Sequence, residues 1–263
     1  MPSAQFGFAV ITMNYNKLLP TLLLIILLPL DSCNNDHTLK PEHYQKLGMP
    51  SHKKIWTNDD YVACNITLSS LKINDPLSLP RISSRKSGDL FRRMVNKDNL
   101  NFIHDNNQTL RTRAYTIQYF PRFQTEMEQM YTIEYKGKMY YNEELLELDI
   151  FGLFIHDRML ELAMIINNSD DPEVEGIRDG MGAVKFNYMK LIPRLLDELE
   201  KTDQFTQSDR LRLVKAISVS IKENLAWMNE SEKATLKSEF VSSIEKTGST
   251  GLKSILEESL NTL

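Results

Sequence analysis

"NEELLELDIFGLFIHDRMLELAMIIN", residues 142–167, is the stretch that decides the fold. Its apolar side chains recur every three or four positions over about seven turns, a spacing typical of a long core helix. Such a helix has to bury its apolar side against other elements, so the stretch predicts a multi-helix domain built around it. At about 100° per residue, the charged side chains gather on one face, which we expect to contact solvent. They are Glu143, Glu147, Asp157, Arg158 and Glu161.

Two polar side chains of this helix, Asp149 and His156, fall on the opposite, apolar side. An unpaired carboxylate buried there would cost several kcal/mol or would take up a proton. We therefore expect both side chains to be buried with polar partners, and Arg178 or Arg194 could pair with Asp149. Two interpretations stay open. Both residues make structural contacts in the core, or they form a polar pocket in which they are the candidate catalytic residues, with His156 as acid or base.

Helix-start signals precede several other periodic segments of the chain. A Ser, Thr or Asn followed three residues later by Asp or Glu is typical of a capped helix N-terminus. Such pairs occur at Thr57 and Asp60, at Thr206 and Asp209, and at Asn229 and Glu232. The sequence therefore predicts a mainly α-helical fold, a compact multi-helix domain over residues 55–263.

The segment between Tyr115 and Tyr141 carries two competing patterns. "YTIQY" and "YTIEYKGKMYY" alternate with period two around Gly137, as in a β-hairpin, whereas Phe120, Phe123 and Met127 have helical spacing. We expect helix over this segment, with a small hairpin near residues 131–141 as the alternative.

An apolar run near the N-terminus, Leu18–Leu30, raises the question of a membrane span. As a helix it would cover about 20 Å of a hydrocarbon core of about 30 Å, so a stable span is not expected. The run is preceded by Lys17 and followed by the small residue Ser32, an arrangement typical of an export signal. We expect residues 1–32 to be a signal peptide, and Met13 rather than Met1 to be its start.

At the end of this run, "LDSC" (Leu30–Cys33) resembles the lipobox of bacterial lipoproteins. Leu30, Ser32 and Cys33 match that pattern, and Asp31 departs from it. The resemblance implies acylation of Cys33 and a lipid anchor in the bacterial cell envelope, in the outer membrane. Acyl chains contribute about 0.8 kcal/mol per buried methylene, which suffices for lasting attachment when two or three are present. We expect residues 33–54 to combine the lipid anchor with a flexible tether.

The chain is acidic overall, with a net charge of −4, which argues against nucleic acid as a partner. "PRISSRKSGDLFRRMVNK", residues 80–97, is a local basic exception. Its cations either face acidic helices and solvent or, with a Ser/Arg/Gly loop leading into a helix, bind an anion. The ligand would then be an anionic lipid headgroup or polysaccharide. The candidate anion-binding residues are Arg81, Arg85, Lys86, Arg92 and Arg93.

Motifs for metal or nucleophilic chemistry are missing from the sequence. The five histidines are scattered, neither H-E-x-x-H nor G-x-S-x-G occurs, and we expect no metal or cofactor. The leading hypothesis is a non-enzymatic, lipid-anchored envelope protein that acts as an interaction or binding module. One alternative is an envelope enzyme acting on an anionic or glycan substrate through Asp149, His156 and the basic tract. Another is a structural subunit of an envelope complex.

Overall fold

A computed structural model describes residues 36–178 and 180–263 of the chain, and the predicted mainly α-helical fold is confirmed. The predicted signal peptide and Cys33 lie outside the described residues. In chain order the helices are α1 (Pro41–Lys46), α2 (Asn58–Asn74), α3 (Gly88–Met94), α4 (Leu110–Ile117), α5 (Phe120–Tyr131), α6 (Asn142–Asn167), α7 (Glu175–Arg178), α8 (Met181–Glu198), α9 (Gln207–Asn224), α10 (Glu230–Lys246) and α11 (Thr250–Thr262). Short 3-10 helices cover Pro76–Ser78, Lys97–His104, Pro172–Val174 and Leu225–Trp227.

The segment between Tyr115 and Tyr141 combines the two patterns seen in its sequence. It is helical through α4 and α5, and a two-stranded hairpin follows, with β1 (Glu134–Tyr135) antiparallel to β2 (Lys138–Met139). The turn residues Lys136 and Gly137 both have positive φ, at 53° and 74°, as the favoured two-residue hairpin turn requires. Helix over most of the segment and a small hairpin near its end are both correct.

Helix α6 has the predicted bounds and lies at the centre of the fold, between two groups of buried side chains. One group, the aromatic cluster, packs Phe151 of α6 against rings from the first half of the chain. These rings are Tyr44, Trp56, Tyr61, Phe91, Phe120, Phe123, Tyr131 and Tyr141. The other group, the aliphatic cluster, packs Leu146, Leu153 and Leu160 of α6 against α8 to α11. Its further members include Ile192, Leu195, Leu213, Ile217, Leu236, Phe240, Leu252 and Leu256.

The predicted solvent face of α6 is wrong for Asp157. Its other charged residues, Glu143, Glu147, Arg158 and Glu161, are half-buried, because α5 covers one side of the helix while α8 and α9 cover the other. Asp157, assigned to that face, is buried and accepts hydrogen bonds from Ser220 Oγ at 2.5 Å and Asn224 Nδ2 at 2.8 Å. Glu147 likewise pairs with Arg212 of α9, whereas Arg158 and Glu161 pair with each other on α6.

Residues 37–54, which were assigned to the predicted tether, are part of the folded domain. Residues 37–263 form one compact unit, and α1 lies within the stretch assigned to the tether. Tyr44 and Met49 are fully buried in the aromatic cluster, and burial of two large apolar side chains fixes this stretch to the domain. Within the described ranges, no helix combines the length and hydropathy needed to cross a bilayer.

Candidate functional site

Four of the five predicted anion-binding residues line one cleft of about 680 Å³, here called the basic cleft. Its cationic residues are Lys40, Arg85, Lys86, Arg92 and Arg93, and Ser83 and Ser84 add hydroxyl groups. Asp89 is the one carboxylate among the described residues that line the cleft. Five cations against one anion in a concave surface produce a locally positive potential in an otherwise acidic chain.

A tight turn over residues 81–88 shapes one wall of the basic cleft. Ser84 Oγ accepts hydrogen bonds from the backbone N–H groups of Lys86 at 3.0 Å and Ser87 at 3.2 Å, and Gly88 N–H bonds to Ser84 O at 2.9 Å. A Cβ atom at position 88 would lie 2.7 Å from the carbonyl oxygen of Ile82, so only glycine closes this turn. The positive charge of the basic cleft comes from its cationic side chains, since α3, with seven residues, is too short for a substantial helix dipole.

Polar contacts hold the cationic side chains at the rim of the cleft. Arg92 Nη1 donates to Asp89 Oδ1 at 2.9 Å, and Arg93 Nη1 donates to the carbonyl of Ser51 at 2.5 Å. Lys86 Nζ lies 3.4 Å from the carbonyl oxygen of Thr38. The neutral carbonyl of Ser51 orients Arg93 without cancelling its charge.

Arg81, the fifth predicted residue, does not join the cleft. Its Nε lies 3.9 Å from Oε1 of the fully buried Glu144, and its guanidinium group stacks over the Tyr140 ring, 4.6 Å from the centroid. A guanidinium group held between a carboxylate and an aromatic face has a structural role. The assignment of Arg81 to an anion site is therefore corrected.

Asp149 is buried, as predicted, and its partner is Arg194, whose Nη2 donates to Oδ1 at 2.8 Å. Glu128 of α5 hydrogen-bonds to the same carboxyl group. Burial, followed by the negative charge of Asp149, raises the pKa of Glu128 well above its usual range. Glu128 therefore keeps its proton at neutral pH, and two carboxyl groups coexist in the core with one arginine.

His156 is half-buried, and its Nδ1 lies 2.9 Å from the carbonyl oxygen of Gly152 on the same helix. Burial lowers the pKa of its imidazole, so the ring is neutral at pH 7. Neither His156 nor Asp149 lines the basic cleft or the second cavity described below. Within the described part of the chain, the contacts of both residues are with Arg194, Glu128 and the Gly152 carbonyl.

Sequence reasoning missed Lys40 and Ser51, because both fell in the stretch assigned to the tether. Tyr44, between them in the chain, was the available signal, since an aromatic residue in a polar stretch indicates burial. Cys64 is buried in α2, and within the described part of the chain it has no disulfide partner. Burial raises the pKa of its thiol, so the group is unreactive.

No family model, curated protein or solved structure matches this chain. The function is therefore inferred from the basic cleft and its surroundings alone.

Proposed function

We propose that this protein is a lipid-anchored helical module of the bacterial envelope that binds anionic lipid headgroups in its basic cleft. The observation that carries the proposal is the convergence of Lys40, Arg85, Lys86, Arg92 and Arg93 on one concave surface. Arginine forks and serine hydroxyls are donors suited to phosphate oxygens. Each cation near an anionic membrane contributes about 1 kcal/mol of attraction.

The position of the proposed anchor supports a membrane ligand. Thr38 follows Cys33 by five residues, a stretch that spans at most about 18 Å when extended. Thr38 is buried against the cleft, where its Oγ1 lies 2.7 Å from Ser84 Oγ and its carbonyl contacts Lys86. Lipid on Cys33 would thus keep the cleft close to the headgroups of the same membrane, at a high effective concentration.

Charge reversal tests the headgroup proposal. The full chain with Cys33→Ala, which removes the acylation site, is titrated with phosphatidylcholine vesicles with and without phosphatidylglycerol. The double variant Arg85→Glu with Lys86→Glu should bind the anionic vesicles at least about tenfold more weakly, and added salt should weaken wild-type binding.

The matched control for charge reversal is Lys215→Glu with Lys222→Glu, which changes net charge equally on an exposed side of α9. It should bind like the unreversed chain. Equal vesicle binding by all three proteins would refute the headgroup proposal, and an equal loss in both double variants would reduce it to unspecific charge attraction.

The anchor has its own test, since a lipidated protein incorporates fatty acid covalently. Cys33→Ala should abolish labelling of the protein by a fatty-acid analogue and release it from the tight membrane fraction. Continued labelling of this variant would refute acylation at Cys33 without bearing on the cleft.

A further inference from the structure

A second cavity, here called the amide cavity, opens where α2 begins and has a volume of about 600 Å³. Its floor is aromatic, formed by Trp56, Phe102 and Phe120. Its rim is polar, with the side chains of Asn58, Asp59, Asp98, Asn101 and Gln108. The volume lies within the range of about 300–1,000 Å³ that is usual for small-molecule sites.

The floor of the amide cavity is rigid. Asn99 Oδ1 accepts a hydrogen bond from the Trp56 backbone N–H at 2.9 Å, and Asn99 Nδ2 donates to the Tyr61 hydroxyl at 2.8 Å. Phe102 and Phe120 stack with their ring centroids 5.6 Å apart. A fixed floor lowers the entropy that a ligand has to overcome on binding.

Two polar atoms of lining residues lack hydrogen-bond partners within the described part of the chain. They are Nε1 of Trp56, a donor, and Oδ1 of Asn58, an acceptor, and both are buried. Asn58 Nδ2 donates to the carbonyl of Thr116 at 3.2 Å, which fixes the orientation of the amide group. Buried polar atoms without partners are costly, so these two atoms mark the wall of the cavity as a place where the protein leaves hydrogen-bonding groups unsatisfied.

The charges of the amide cavity select the class of ligand. Among its described lining residues there is no Lys, Arg or His, and two carboxylates, Asp59 and Asp98, stand on the rim. An anionic ligand would therefore find no counter-charge in the cavity. Both carboxylates are exposed, so a cationic ligand would gain little from pairing with them. The cavity favours an uncharged ligand that is rich in hydrogen-bonding groups.

The hydroxyl groups of a ligand can both donate and accept hydrogen bonds. A carboxylate or amide on the rim has two polar atoms in one plane and can therefore contact two neighbouring hydroxyls of the ligand at once. The C–H face of a sugar ring is apolar and can lie on an aromatic floor. We propose that the amide cavity binds a neutral saccharide, such as the end of an uncharged glycan. This site is independent of the basic cleft and goes beyond the headgroup binding proposed above.

A fluorescence titration can test this proposal, because the chain has only two tryptophans and Trp56 lines the cavity. Trp227→Phe leaves Trp56 as the single reporter. The probes are two neutral disaccharides, cellobiose and N,N′-diacetylchitobiose, with spermidine as a cation and a sulfated heparin disaccharide as an anion. Saturation-transfer NMR on the same full chain detects binding that leaves the fluorescence unchanged. At least one neutral disaccharide should bind saturably, and the charged probes should not.

Matched variants localise the binding. Asp59→Asn with Asn101→Ala should weaken disaccharide binding about tenfold or more, since each change removes or weakens a hydrogen bond from the rim. Asp203→Asn with Asn261→Ala makes the same two chemical changes at exposed positions elsewhere and should leave binding unchanged. Circular dichroism melts confirm that both double variants fold. Absence of saturable binding by both methods, equal binding by both double variants, or binding of a charged probe alone would overturn the proposal.

Discussion

The aromatic and aliphatic clusters share α6 but are built in different ways. The aromatic cluster lies among short helices and irregular segments, whereas the aliphatic cluster lies among the long helices α8 to α11. Irregular backbone leaves carbonyl groups without helical partners, and buried carbonyls have to be satisfied by other donors. The aromatic half therefore has backbone carbonyls that need hydrogen-bond donors from side chains.

In the aromatic half, tyrosine hydroxyls donate hydrogen bonds to these carbonyls. Four buried tyrosines each donate to a backbone carbonyl between residues 76 and 94, a stretch of short helices and turns. The pairs are Tyr44 with Ser78 at 2.6 Å, Tyr61 with Met94 at 2.6 Å, Tyr131 with Pro80 at 2.9 Å, and Tyr141 with Pro76 at 2.9 Å. Each ring fills the core while its hydroxyl fixes a loop, which a leucine could not do.

Helix caps satisfy backbone N–H groups in the aliphatic half, as Thr57 and Asp60 do in the aromatic half at the start of α2. Thr206 with Asp209 and Asn229 with Glu232 form capping boxes that satisfy the first N–H groups of α9 and α10. The regular helices of the aliphatic half pack closely, whereas the basic cleft and the amide cavity both adjoin the aromatic half. The comparison indicates that loops fixed by hydrogen bonds from buried tyrosines can form concave surfaces. Between regular helices, side chains fill the available space instead.

The largest expected effect comes from α6, where neighbouring residues face different clusters. Phe151→Ala should lower the free energy of unfolding by about 4 kcal/mol and Leu153→Ala by about 3 kcal/mol, because each leaves a cavity in a closely packed core. Urea unfolding followed by circular dichroism measures both values. Since α6 belongs to both clusters, each variant should show a single transition. Two transitions, each sensitive to only one variant, would show that the clusters unfold independently.

A smaller effect is expected when a tyrosine hydroxyl is removed. Tyr131→Phe should lower the free energy of unfolding by about 1.5 kcal/mol, because it leaves the buried carbonyl of Pro80 without its donor. The matched change in the aliphatic half is Tyr188→Phe, whose hydroxyl lies 2.9 Å from Ser220 Oγ. Ser220 keeps its bond to Asp157, so this variant should lose about 0.5 kcal/mol. Equal losses would remove the distinction between the two halves.

The smallest effect concerns pH. Burial raises the pKa of Glu144 in the aromatic half and of Asp157 in the aliphatic half, each to about 7. Between about pH 4 and pH 7 the folded state keeps protons that the unfolded state releases, so the stability present at low pH is lost as pH rises. Asp60 and Glu232, whose pKa values are lowered, act with opposite sign but at more acidic pH. Calorimetry should therefore give a higher thermal midpoint at pH 5.5 than at pH 8.

Single substitutions assign that pH dependence to the two halves. Glu144→Gln keeps an acceptor for the Ile82 N–H, which bonds to Glu144 Oε1 at 2.8 Å, but it cannot titrate. Asp157→Asn does the same beside Ser220 and Asn224. Each variant should reduce the difference in midpoint between the two pH values, and together they should reduce it further. An unchanged difference in both would show that these carboxyl groups do not keep their protons.

The sequence by itself determined the helical class, the bounds of α6, the capped starts at Thr57, Thr206 and Asn229, and the burial of Asp149. These features are local, since period, capping residues and turn residues act within a few positions of the chain. Clustering of basic residues within residues 85–93 also indicated the cleft, because one short stretch supplies most of its charge.

Only the tertiary structure decided which faces of the helices pack against each other. Asp157 of α6 is buried because α9 packs over it, and it pairs with residues 63 and 67 positions away. Arg81 lies outside the cleft because its side chain contacts Glu144 and Tyr140, which are distant in sequence. The amide cavity forms between the start of α2 and the chain near residues 98–120. Such contacts depend on long-range packing, and no local pattern in one sequence encodes which partners meet.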